Sequence, residues 1–184
     1  MPVIKNPRIV DMTKQKIISA VMLMAFMGTA AAQYESWGHS GSLYVLTTPE
    51  GADLPAAAVE KDFPLLLRLS KEWFDFRQAQ AKGDDLRFSA AGKPLAYQIE
   101  AWDPVAGTAC IWLRIPEIRG NAQQEIRLHW GKSGAASESS GAAVFNDSNG
   151  FASVLHLGDQ PTEDAVGLLT PTNIDTTAVA GMIG

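Results

Sequence analysis

In several stretches between residues 42 and 130 the apolar side chains fall on every second position, and that period limits the fold more than any other property of the chain. The cleanest row is Ala109, Ile111, Leu113 and Ile115, with Cys110, Trp112 and Arg114 on the alternate positions. Successive side chains of an extended strand project to opposite faces, so a period of two buries one face of a sheet. Shorter rows of the same kind are Phe63, Leu65, Leu67 and Leu69; Leu86 and Phe88; Leu95, Tyr97 and Ile99; and Ile126, Leu128 and Trp130. Residues 42–48 read as a further strand, closed by the turn Pro49-Glu50-Gly51. Pro64 has no N–H to give to a ladder, which puts its strand at a sheet edge or puts the proline at the strand's start.

The last three rows are joined by connections of roughly seven to ten residues, which suit antiparallel neighbours and are short for parallel crossovers. The expected fold class is therefore all-β, an antiparallel β-sandwich or jelly-roll-like arrangement. One short helix is expected over 72–81, where Phe76, Ala79 and Gln80 share a side that Trp73 can join. Loops are expected over 52–61 and from Pro116 through Gly120-Asn121.

The start of the chain has a different composition. Lys14 and Lys16 precede an apolar run over 17–27, and Ala30-Ala31-Ala32 follows. That order is the pattern of a secretory signal, and the run is shorter than the roughly 20 residues a membrane-spanning helix needs. Residues 1–32 read as the signal region, with Met12 as an alternative start. An uncleaved anchor and a buried core helix are the competing readings. Residues 33–131 then form the sandwich, 132–142 a Gly/Ser/Ala-rich linker, and 143–184 either an extension packed on the sandwich or part of a second, truncated domain.

Charge narrows the partners. The chain carries a net charge of -5, and without 1–32 it carries -8, spread with no acidic block. No basic patch suggests nucleic acid. Cys110 is the only cysteine, so no internal disulfide can form, and its place in a strand row suggests a small buried apolar residue.

Chemistry-bearing residues are few. Trp102 and Trp112 flank a turn; as cross-strand neighbours, with Tyr97, they would make a flat platform for sugar rings, although the same aromatic faces serve equally as core or interdomain packing. Asp84 and Asp85 at a glycine turn, with Asp147 and Asp159 in the tail, are candidates for Ca²⁺, which takes six to eight oxygens. They lack the spacing of an EF-hand loop, and a capped strand-entry turn competes. Glu100 and Asp103 do not meet by spacing the separation a glycosidase pair requires. His39, His129 and His156 form no zinc motif, and no nucleophile elbow or phosphate loop is present.

Five ordered motifs carry a resemblance. They are residues 62–69 (DFPLLLRL), Phe76 with 83–88 (GDDLRF), 95–103 (LAYQIEAWD), 111–116 (IWLRIP) and 126–131 (IRLHWG). Together, over about 43–159, the chain resembles the bacterial domain of unknown function 2341. The resemblance implies an extracytoplasmic β-sandwich with no established activity, working beside other domains or proteins of the cell envelope. It also implies a following concanavalin A-like, laminin-G-type domain. Residues 151–159 (FASVLHLGD) look like the entrance to such a domain, with Leu155 where an aromatic is common, and the stretch after Thr172 is similar to its first strand. Some members end in proton-channel-type membrane segments, and transport is not carried over to this sequence.

The functional expectation is a noncatalytic exported module with structural or binding work in the periplasm, cell envelope or medium, with no cofactor other than the calcium question. Carbohydrate binding is the alternative, and polysaccharide hydrolysis a lesser one.

Overall fold

The computed structural model describes residues 32–157, 163–170 and 172. The chain divides into two units, Met1–Gln33 and Tyr34–Gly184. Most of the first unit, including the expected signal region up to Ala31, lies outside the described residues, as do Asp159 and the stretch after Thr172.

Among the described residues the second unit holds seven strands: β1 (His39–Leu46), β2 (Val59–Ser70), β3 (Arg87–Ala90), β4 (Lys93–Pro94), β5 (Tyr97–Asp103), β6 (Thr108–Arg119) and β7 (Gln123–Trp130). They form a four-stranded sheet in the order β1-β7-β3-β4 and a three-stranded sheet in the order β2-β6-β5. Every pairing is antiparallel. The all-β expectation holds.

Strand β6 organises the core. Its row Ala109, Ile111, Leu113 and Ile115 is buried, with Ile111 and Leu113 at 0% exposure. Register places Leu69, Leu67, Leu65 and Phe63 of β2 directly opposite that row, and Tyr97 and Ile99 of β5 beside it. The facing sheet contributes Phe88, Ile126 and Leu128 to the same cluster, with Leu43 and Val45 packed at its margin. Pro64 sits on an edge strand, since among the described residues β2 has β6 as its only neighbour.

Four local expectations change. The helical stretch at 72–81 is a single 3-10 turn, Phe76–Gln78, capped by Asp75, whose side chain accepts from the Arg77 N–H. The ring of Phe76 is buried, so tertiary packing holds this turn where ten residues of weak periodicity cannot sustain a longer helix. Strand β6 continues past Pro116 to Arg119, because Pro116 lies opposite Asp62, at a position where the β2–β6 ladder has no pair. The loop expected over 52–61 likewise gives way to β2 at Val59. Finally, β6 and β7 are not neighbours: their short connection crosses from one sheet to the other. Gly120 makes the crossing, where a Cβ would come within 1.8 Å of the Pro55 carbonyl oxygen.

Cys110 is half-buried on the outer side of its sheet and is a free thiol, not a core residue. The only α-helix among the described residues is α1 (Gly141–Val144), with Ser140 as its N-cap.

Candidate functional site: the outer face of the three-stranded sheet

The alternation that sends Ile111 and Leu113 inward sends Trp112 and Arg114 outward. Beside them on β5, Gln98 lies opposite Trp112 in register. Between Ile99 and Ala101 the register shifts by one residue, so Glu100 is the extra residue of a β-bulge. Bulges re-aim side chains, and here the Glu100 carboxylate accepts the Trp112 indole N–H at 2.6 Å.

The segment after β7 lies on this face. His156 stacks on Trp112 with ring centroids 5.9 Å apart and 22° between planes. Its Nε2 is 3.1 Å from Gln98 Oε1, and its Nδ1 is 3.6 Å from Glu100 Oε2. Phe145 packs edge-on against Trp112 at 5.5 Å and against Phe151 at 5.1 Å. These rings border a second apolar cluster of Val144, Phe145, Ala165 and Val166, with Val154 beside it. Burying Val144 and Phe145 contributes roughly 1.5–3 kcal/mol each as area removed from water. Gly141 lets α1 approach closely: a Cβ there would come within 2.3 Å of the Ala165 carbonyl oxygen.

Polar contacts fix the segment's position. Arg114 donates from Nε to Asp62 Oδ1 at 3.0 Å and from a terminal nitrogen to Ser148 Oγ at 2.8 Å. Asn149 donates to the backbone carbonyls of Asp62 and Val144. Asp164 gathers the far end: its carboxylate accepts the backbone N–H groups of Val154, Val166, Leu168 and Leu169. Those hydrogen bonds hold its carboxyl at about 2, below the ordinary carboxylate range.

A second set of contacts fastens residues 131–140. Buried Asp85 accepts from the Gln80 N–H with one oxygen and from the Gly131 and Lys132 N–H groups with the other. Buried Arg87 donates to the carbonyls of Asp84, Leu86 and Ala136 and to the Tyr97 hydroxyl. Its Nε lies 2.9 Å from Glu138 Oε1, but the N–H is not aimed to make a hydrogen bond there. The Tyr97 hydroxyl donates to the Leu86 carbonyl, and burial pushes its pKa up against the opposing pull of Arg87. Ser140 N–H donates to the Tyr97 carbonyl, and the Ile99 N–H donates to Ser139 Oγ. Despite its linker-like composition, the stretch is tied down along its length.

The residues singled out from sequence do not converge. Trp102 and Trp112 are not cross-strand neighbours: Trp102 pairs with Ala109, and Trp112 with Gln98. They project from opposite faces, because the bulge at Glu100 turns Trp102 to the core side, where it packs on Phe74 and Phe76. No shared platform forms. The Trp102 indole N–H is buried with no hydrogen-bond partner among the described residues. Tyr97 is 2% exposed, and its ring packs on Phe88. Of the calcium candidates, Asp85 is occupied by backbone donors, Asp84 is half-buried and Asp147 is exposed in a 3-10 turn. No group of three or more His, Cys, Asp or Glu suited to a metal occurs among the described residues. Asp103 accepts the backbone N–H groups of Val105 and Ala106 in a turn and does not face Glu100.

The sequence reading missed the grouping of Glu100, Trp112 and His156. Its signal was the outward row of β6 beside the aromatic stretch that ends at His156. A separate open cleft of about 470 Å³ is lined by Lys71, Phe74, Asp75, Phe76, Arg77, Pro104 and Gly107. At its rim Arg77 makes a two-pronged contact with Asp75, both bonds 2.8 Å, and draws that carboxyl down to about 2.

No curated protein matches the chain, and no solved structure matches it. Of the five sequence motifs, the last four fall wholly or mainly within one matched segment, and the first, at 62–69, lies outside it. That segment, residues 82–156, which carries β3 to β7, the fastened stretch and the outer-face residues through His156, matches the family model described as Domain of unknown function (DUF2341).

Proposed function

We propose that this chain is an exported, noncatalytic β-sandwich module whose work is structural: it seats the polypeptide that follows its last strand. One observation carries the reading. Trp112, Arg114, Gln98 and Glu100, which face outward from β5 and β6, are engaged with Phe145, Ser148 and His156 beside a second apolar cluster. A sheet face used this way fixes the direction in which the next part of a multidomain protein leaves the sandwich, as a spacer or docking domain of the envelope requires. The concanavalin A-like reading of the stretch after 151 rests on resemblance alone, and the exported location rests on the signal pattern at 1–32.

The deciding experiment is limited proteolysis of wild type and Trp112→Ala. Rapid cleavage within 143–170 of the variant, with the sandwich still folded by near-UV circular dichroism, supports the seat. Unchanged cleavage rules it out.

A second reading, carbohydrate binding, is favoured by the open cleft beside Phe74 and Phe76, which mixes apolar lining with two cations and a carboxylate. Saturable glycan binding in calorimetry, lost on Arg77→Ala, would establish it in place of the first. Polysaccharide hydrolysis has less behind it, since Asp103 is engaged by the Val105 and Ala106 N–H groups in a turn, and turnover abolished by Glu100→Gln would be needed to revive it.

A further inference from the structure

The last small residue of the signal pattern, Ala32, is followed directly by Gln33. Signal peptidases cut after such a small-residue site, which makes the bond between Ala32 and Gln33 the expected place of cleavage. The fold gives a second reason for that place. The division between the two compact units falls one peptide bond later, with Met1–Gln33 in one and Tyr34–Gly184 in the other.

From Tyr34 onward the chain is built into the sandwich unit. The Tyr34 ring packs on Trp37 at 5.1 Å and on His129 at 4.8 Å between centroids. The Trp37 indole N–H donates to the Asp85 carbonyl at 2.7 Å. The Lys132 ammonium lies 4.4 Å from the centre of the same indole and donates to Ser36 Oγ at 2.6 Å. Gln33 is exposed. A cut before Gln33 keeps every one of these contacts and leaves Gln33 as the first residue, directly ahead of them.

We propose that Gln33 becomes the N-terminus of the exported chain and closes on itself to pyroglutamate. The inference rests on the export reading above. The neutral α-amine nitrogen attacks the side-chain Cδ, and a new C–N bond forms. The bond from Cδ to the amide nitrogen breaks, and that nitrogen leaves as ammonia with one proton taken from the amine. No oxidant, cofactor or second reactant is consumed. An α-amine is partly uncharged near neutral pH, so the nucleophile is available. The ring amide carries no charge and withstands aminopeptidases. Standing immediately before Tyr34, it guards from stepwise trimming the rings that contact Asp85, His129 and Lys132.

The test is intact-mass measurement and N-terminal sequencing of the full chain expressed in a bacterial host that exports it, fresh and after prolonged incubation at neutral pH. The expected product is residues 33–184, lighter by one ammonia than the encoded sequence. It should be closed to stepwise sequencing and opened by pyroglutamyl aminopeptidase, to read Tyr34-Glu35-Ser36. Gln33→Ala should be cut at the same bond and read from its first residue without that treatment. A product that starts at Gln33 and keeps its full mass and a free amine after incubation overturns the modification and leaves export standing. An exported chain cut elsewhere also overturns it, and a chain retained uncut inside the cell overturns it together with the export reading. If Gln33→Ala is not cut, the wild-type mass and sequence alone decide.

Discussion

Glu100 holds the indole N–H of Trp112 at 2.6 Å although the two residues are not register partners. Glu100 is the unpaired residue of the bulge after Ile99, and its carboxylate reaches across the sheet to that ring. That ring is the one on which His156 and Phe145 rest.

Removing the ring should therefore loosen the docked segment more than the sandwich. Trp112→Ala is expected to weaken the docking by about 2 kcal/mol, roughly thirtyfold in local opening. Trp112→Phe keeps most of the packing and loses the hydrogen bond, for about 1 kcal/mol. Protease cleavage rates within 143–170 measure both, and a Trp112→Ala rate equal to wild type contradicts the docking role.

Asp85 gives a sharper test of the fastened stretch. Asp85 is buried and its three backbone donors are half-buried, and Asp85→Ala leaves them without this partner. A loss of roughly 3–5 kcal/mol in urea unfolding is expected. Asp85→Asn presents an amide nitrogen where an acceptor is needed and should cost about 1–3 kcal/mol. A neutral Asp85→Ala would mean that 131–140 is not held in this way.

The two faces of β6 should respond unequally. Ile111→Ala, at a fully buried position, is expected to lower stability by about 2–5 kcal/mol. Cys110→Ala, one residue away on the outer side, should change it by less than about 1 kcal/mol. Equal losses at the two positions would contradict the assignment of faces.

Acid should undo the far end of the docked segment. The Asp164 carboxyl titrates at about 2 in the fold against an ordinary 3.8. Because the folded value is the lower one, the stabilisation is complete above pH 3.8 and fades as pH falls from there through 2. Amide exchange at Val154, Val166, Leu168 and Leu169 should quicken over that window. In Asp164→Asn those amides should exchange faster at neutral pH and lose the acid step.

Tyr97 sets the opposite limit. Burial raises its hydroxyl pKa above the ordinary 10.0, so its contribution is complete below that pH and is lost as pH climbs through the folded value. Alkaline unfolding followed by tyrosinate absorbance should move to higher pH in Tyr97→Phe, which has no hydroxyl to ionise.

Much of the sandwich was legible because β6 obeys a period of two from Ala109 to Ile115, and a one-residue slip would turn that whole row outward. Pro64 left two readings for its row, a sheet edge or a strand start, and β2 is an edge strand among the described residues. The docked face was not legible. The Glu100 bulge leaves no trace in composition, and without it Trp102 and Trp112 look like neighbours. The Ser/Gly stretch reads as a linker because its own side chains are small, while the groups that hold it, Asp85, Arg87 and Tyr97, lie about 35–55 residues earlier. Arg87 alternates with apolar residues and so looks solvent-facing, but the returning chain buries it.

That fastening matters to anyone cutting the protein into pieces. Excision after β7, where composition invites the cut, would bare the Asp85 carboxylate, the Arg87 guanidinium and one whole flank of β5 at once. The resulting fragment should clump in solution, whereas one carried through Thr172 should stay dispersed. The smallest piece able to stand alone is thus set by where a returning stretch ends, and not by the last rung of a sheet.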